Sequence, residues 1–144
     1  MSPQAALRPI LLIEDNPMDI DLTLRAFAKR QLANPIEVVE DGESAMARID
    51  QWEQGLAEMP SLILLDLKLP KVDGLEVLRR LKASLKLRVI AVVVLTTSAE
   101  DRDVQLAYEL GANSYIVKPV SFDKFLQVAE QIELYWGLLN QPYT

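Results

Sequence analysis

The sequence predicts an α/β fold: five parallel strands in one sheet, with helices on both faces. Two observations predict it. Short apolar runs alternate five times with stretches of helical periodicity along 144 residues. The apolar runs of the first, third and fourth strands are continuous rather than alternating, as strands covered on both faces must be.

PILLIE, residues 9–14, is the first strand, and it leads toward DLTLRAFAKR; from Ile20 just before that stretch, Ile20, Leu24, Phe27 and Ala28 recur at helical spacing. IEVVE, 36–40, is the second strand. ESAMARIDQW then places Ala45, Met46, Ile49 and Trp52 on one helical face. The loop 53–61, EQGLAEMPS, is the longest soft connection. LILLD, 62–66, is the third strand, and LEVLRRLK follows with Leu75, Leu78 and Leu81 as its apolar stripe. VIAVVVL, 89–95, is the fourth strand, β-branched throughout much of its length. A helix over 100–110 aligns Val104, Ala107 and Leu110, and Gly111 is placed to end it. SYIVK, 114–118, is the fifth strand. The last helix starts at Ser121 as its cap and runs to about Leu139.

Length predicts a single domain over 1–144, with half the residues apolar and a quarter charged. There is no cysteine and no histidine, which removes disulfides, thiolate and imidazole metal sites, and the commonest general base. The net charge is −6, with no basic cluster beyond RRLK and KLR, which argues against unaided nucleic-acid binding. MSPQAALRP has no apolar core segment, so no signal peptide is expected. No apolar run approaches the ~18 residues of a membrane helix. The expected compartment is the cytoplasm, and the expected output is a protein contact.

In parallel α/β sheets, ligands bind beyond the carboxyl ends of the strands. There the first strand ends in Glu14 and Asp15, the third in Asp66, the fourth in Thr96 and Thr97, and the fifth in Lys118 before Pro119. Three carboxylates raise one another's pKa unless a cation sits among them. Oxygen-only ligands select a hard ion such as Mg²⁺. A magnesium site that also holds a lysine and a hydroxyl suits a phosphoryl group, with Asp66 as the nucleophile. Each piece also has a plainer reading. Glu14-Asp15-Asn16-Pro17 is a good helix start, Asp66 a turn residue, and Thr96-Thr97-Ser98 a helix cap. Their joint placement at one sheet edge favours the site.

ILLIEDNP, LILLDLKLPKVDG, VVVLTTS and GANSYIVKPV, in that order and spacing, together resemble the receiver domain of two-component response regulators, over residues 8–136. The resemblance implies a CheY-like, flavodoxin-like (βα)5 sheet of strand order 2-1-3-4-5, with a short N-terminal tail and an extended last helix. It implies that Asp66 is the phosphoacceptor for a sensor histidine kinase. Glu14, Asp15, Asp66 and the backbone carbonyl of Lys68 would hold Mg²⁺, and Lys118 would pair with the phosphoryl oxygens. Thr96 would move toward the phosphate and Tyr115 would turn inward behind it. The Lys118–Pro119 bond would be cis. Lys68, Thr97 and Ser98 would tune phosphate lifetime. LTTS, AYELGANSYIVKPVSFDKF and the long last helix are most similar to single-domain regulators paired with cyanobacterial-type phytochrome kinases.

On the last helix, Phe122, Phe125, Leu126, Ala129, Ile132 and Trp136 form one apolar stripe, and Val128, Tyr135 and Leu139 a second. The second stripe either packs under a loop or joins two copies through the fourth helix, fifth strand and fifth helix, with Val128 and Tyr135 at the contact. Two other functions stay open: a Mg²⁺-dependent hydrolase or phosphotransferase with an aspartyl nucleophile, and an unphosphorylated binding module. Such enzymes carry a second acid two residues after the nucleophile, where this chain has Lys68.

Overall fold

The structure is a computed structural model that describes residues 7–136. Ten elements alternate along the chain: β1 (Ile10–Ile13), α1 (Pro17–Lys29), β2 (Ile36–Val39), α2 (Gly42–Glu53), β3 (Leu62–Leu65), α3 (Gly74–Ala83), β4 (Ala91–Thr96), α4 (Asp101–Glu109), β5 (Ser114–Val117) and α5 (Phe122–Trp136). The strands form one parallel sheet of order β2-β1-β3-β4-β5, as the sequence predicts.

Side chains of a strand alternate between faces. Leu11, Ile13, Ile63, Leu65, Val92 and Val94 pack with α2, α3 and α4, while Ile10, Leu12, Leu62, Leu64, Val93 and Leu95 pack with α1 and α5. Both faces are covered, so β1, β3 and most of β4 contain no polar position.

β4 begins at Ala91 rather than at 89. Lys82 Nζ donates to the carbonyls of Arg88 (3.0 Å) and Ile90 (2.7 Å), and Ile90 N–H turns back to Leu87 O at 3.0 Å. Those groups are spent in a turn, and Val89 is exposed. The α1 stripe is also rotated: Thr23, Ala26 and Phe27 are buried and Ala28 is exposed. Thr23 Oγ1 donates to Asp19 O at 2.7 Å, so its hydroxyl is satisfied inside the helix and the residue can face the core.

Gly111 follows Leu110, the C-cap of α4, at φ 109°, as expected of a helix-ending glycine. Ser121 Oγ accepts from Lys124 N–H at the start of α5. Phe125, Ala129 and Ile132 are buried, and Val128 is half-buried against the same core rather than on a separate stripe. Leu139 and the side chain of Trp136 lie outside the described residues. No described helix is long and apolar enough to cross a membrane.

Candidate functional site

The parallel register brings the carboxyl ends of β1, β3, β4 and β5 to one rim. Asp66 N–H donates to Ile13 O at 3.0 Å, and Lys118 N–H to Thr96 O at 2.7 Å, which locks the end residues side by side. Asn16 caps α1, its Oδ1 accepting from Met18 N–H (2.9 Å) and Asp19 N–H (3.1 Å), with Pro17 in the first turn. The helix start read in this stretch is therefore present.

Lys118 Nζ lies 2.6 Å from Glu14 Oε1, 2.8 Å from Asp19 Oδ2 and 3.0 Å from Asp66 Oδ2. One carboxylate oxygen each from Glu14, Asp15 and Asp66 fall within 4.8 Å of one another. Glu14, Asp66 and Lys118 are buried, and Asp15 is the most accessible of the three acids. Burial pushes the Glu14 carboxyl up to about 7; the Lys118 hydrogen bond pulls it down, and the Asp66 charge raises it further. Burial also disfavours the Lys118 ammonium, but its hydrogen bonds to Asp19, Glu14 and Asp66 outweigh that and hold its pKa above the ordinary lysine range. Thr96 is fully buried, and its Oγ1 has no hydrogen-bond partner. Buried hydroxyls are nearly always paired; Asn34 Oδ1 and Trp52 Nε1 share this unpaired state among the described residues.

The loop after β3 is built tightly around Asp66. Lys68 N–H donates to Asp66 Oδ1 at 3.1 Å, and Gly74 N–H to Leu67 O at 3.0 Å. A Cβ at Gly74 would sit 2.3 Å from the Asp66 carbonyl oxygen, and one at Gly42 would sit 1.9 Å from the Val72 carbonyl oxygen. Only glycine allows these approaches.

A second polar cluster lies beside the rim. Ser98 Oγ donates to Asp103 Oδ2 at 2.6 Å, and Lys68 Nζ is 3.8 Å from the same oxygen. Tyr115 is half-buried, and its phenol donates to Ser98 O at 2.9 Å. Thr97 is exposed.

The sequence pattern described as response regulator receiver domain matches residues 10–130. The chain belongs to the response regulator receiver domains. It is 46% identical over 127 residues to the probable methanogenesis regulatory protein FilR2 of Methanothrix harundinacea, covering 88% of this chain and 82% of that one. It is 39% identical to the response regulator Rcp1 of Synechocystis, covering 88% and 87%. The structure of Rcp1 in its Mn(2+)-bound form superposes with a TM-score of 0.81 at 38% identity, covering 90% of this chain and 94% of that one. The phosphorylated cyanobacterial phytochrome response regulator RcpA superposes with a TM-score of 0.82 at 42% identity, covering 90% and 93%.

Receiver domains are signalling modules, and this receiver is related to phytochrome response regulators. Its acidic cluster suits a divalent metal. Glu14, Asp15, Asp66, Thr96 and Lys118 meet at one rim; Lys68, Ser98 and Tyr115 border it; Val128 and Tyr135 belong to α5, on another part of the molecule. Among the described residues no peptide bond is cis, so Lys118–Pro119 is trans, contrary to expectation. The trans form is the lower in energy for X–Pro by roughly 0.5–1 kcal/mol, and Lys118 already reaches its three carboxylates with it. Asp19 and Asp103 are the site residues that sequence reasoning missed. Asp19 stands in the first turn of α1 and Asp103 in that of α4, where acids are common, so no local signal marked either.

Proposed function

We propose that this receiver takes a phosphoryl group onto Asp66 from the phosphohistidine of a sensor histidine kinase, a phytochrome kinase among the candidates, and signals through a protein contact. One observation carries the proposal. The Lys118 ammonium meets Asp66 together with Glu14 and Asp19, at a rim that also carries Asp15 and a buried Thr96 hydroxyl with no partner.

The donor set fits Mg²⁺. Glu14, Asp15 and Asp66 offer oxygens only, and with Asp19 the rim holds four carboxylates and one ammonium, which contacts three of them, leaving a negative excess. These three acids and the Lys68 carbonyl would hold the ion. When bound, Mg²⁺ neutralises charge on the phosphoryl oxygens. The chain's own groups do the rest. An Asp66 oxygen bonds to phosphorus as the phosphorus–nitrogen bond breaks, and the electron pair leaves with the donor imidazole. Lys118 pairs with a phosphoryl oxygen, and Thr96 donates its free hydroxyl to another. Tyr115, tied to the loop after Thr96, passes the change to the β5 edge.

Incubation with Mg²⁺ and phosphoramidate should add one labile phosphoryl mass, absent in Asp66→Asn. Many turnovers of a phosphorylated substrate would favour a hydrolase, and no mass gain would favour an unphosphorylated binding module. Transfer from a panel of autophosphorylated kinases then identifies the donor. A second copy docking on α4, β5 and α5 is supported by exposed Val117, Leu134 and Tyr135. Half-buried Val128 has less surface to offer there. Sedimentation as a monomer at tens of micromolar, with and without phosphate analogue, would exclude it.

A further inference from the structure

Asp103 occupies the first turn of α4, where an acid ordinarily faces solvent and answers the helix dipole. Here it is buried, 6% exposed. Its Oδ2 accepts the 2.6 Å bond from Ser98 Oγ and faces Lys68 Nζ at 3.8 Å. Lys68 starts beside Asp66, to which its backbone N–H donates. β3 and β4 are neighbours in the sheet. The Lys68 side chain therefore spans from the loop after β3, beside Asp66, to the helix after β4.

We infer that Asp103 is a positioning residue for the loss of phosphate from Asp66: by anchoring Lys68 and Ser98 it keeps their side chains across the path of the attacking water. The inference rests on the proposed phosphorylation of Asp66. In the step concerned, a water oxygen bonds to phosphorus and the phosphorus–oxygen bond to Asp66 breaks. The electron pair returns to the carboxylate, and the water protons leave with inorganic phosphate and solvent. Water must approach opposite the Asp66 oxygen. A lysine stem pinned at its far end presents methylenes there, and a loose one swings into solvent. Burial fixes the Asp103 carboxylate, so the anchor itself does not wander.

The test uses the full chain, phosphorylated with phosphoramidate and Mg²⁺, freed of donor, and followed by intact mass. Asp103→Asn keeps an acceptor for Ser98 but removes the charge that holds Lys68. Phosphate loss should become about fivefold faster, the scale of one partly exposed ion pair. Asp103→Glu should restore much of the lifetime. Lys68→Ala, at an exposed position, should shorten the lifetime similarly, and Asp103→Asn should add nothing in that background. A wild-type rate in either single variant, or additive effects in the double variant, overturns the inference and leaves the phosphorylation of Asp66 standing. A wild-type chain that never gains phosphate overturns both.

Discussion

The phenol of Tyr115 donates a 2.9 Å hydrogen bond to the backbone carbonyl of Ser98, two residues beyond the unpartnered hydroxyl of Thr96. That bond fastens the β5 edge to the segment leading from β4 into α4. Tyr115→Phe keeps the ring and removes the bond. The half-buried Ser98 carbonyl then loses its partner, and stability should fall by about 1 kcal/mol, read as a lower urea midpoint at constant m. Phosphate-induced NMR shifts over residues 114–120 should shrink in the same variant. Undiminished shifts would show that Tyr115 is not the link.

Glu14 gives the fold a pH dependence whose sign can be worked out. Burial raises its carboxyl from 4.5 to about 7, against the pull of Lys118 and with the push of Asp66. The folded chain then binds this proton more tightly than the unfolded chain. The stabilisation is fully present below 4.5 and is lost as pH rises through about 7. Above that, the group has withdrawn on the order of 3 kcal/mol. Denaturation of the metal-free protein from about pH 5 to about pH 8 should show falling stability. Glu14→Gln should flatten the slope, and saturating Mg²⁺ should offset it by favouring the ionised carboxylate.

Gly74→Ala puts a methyl group 2.3 Å from the Asp66 carbonyl oxygen, and the backbone there has to move. The expected loss is about 1–3 kcal/mol of stability, together with weaker divalent-cation binding, because the displaced loop carries a proposed ligand. Urea titration and calorimetry with Mg²⁺ measure the two effects separately. Unchanged cation affinity would mean that the Asp66 carboxylate holds its place without the loop.

Asp19 adds a carboxylate to the rim through its 2.8 Å contact with Lys118. Asp19→Asn removes one negative charge and leaves Lys118 to Glu14 and Asp66 alone. Mg²⁺ affinity should drop about fivefold, equivalent to about 1 kcal/mol of lost attraction. Calorimetric titration checks it, and wild-type affinity would confine Asp19 to holding the lysine.

The rim was legible because it depends on little more than chain order. Once alternating strands and helices imply parallel pairing, residues 14, 15, 66, 96 and 118 share an edge whatever the packing details. Asp19 and Asp103 were not legible, since acids are common in first helical turns for reasons of the dipole alone. Their significance lies in contacts with Lys118 and with Ser98 and Lys68, which no local pattern announces. The start of β4 was misplaced for a similar cause: Val89 and Ile90 look like strand, but Lys82, from the preceding helix, claims the carbonyls of Arg88 and Ile90. Thr23 was passed over as core because its polarity is cancelled by a bond one helical turn away.

Gly42 and Gly74 press on the same loop from two elements, one against the carbonyl of Val72 and the other against that of Asp66. A library that randomised this chain and selected for a working rim should return a single residue at each of these positions. Between them, Lys68, Pro70 and Lys71 are exposed. If Lys68 sets the phosphate lifetime as inferred, a surface substitution there retunes the timing of the signal, while the hardest geometry is inherited through two absent methyl groups.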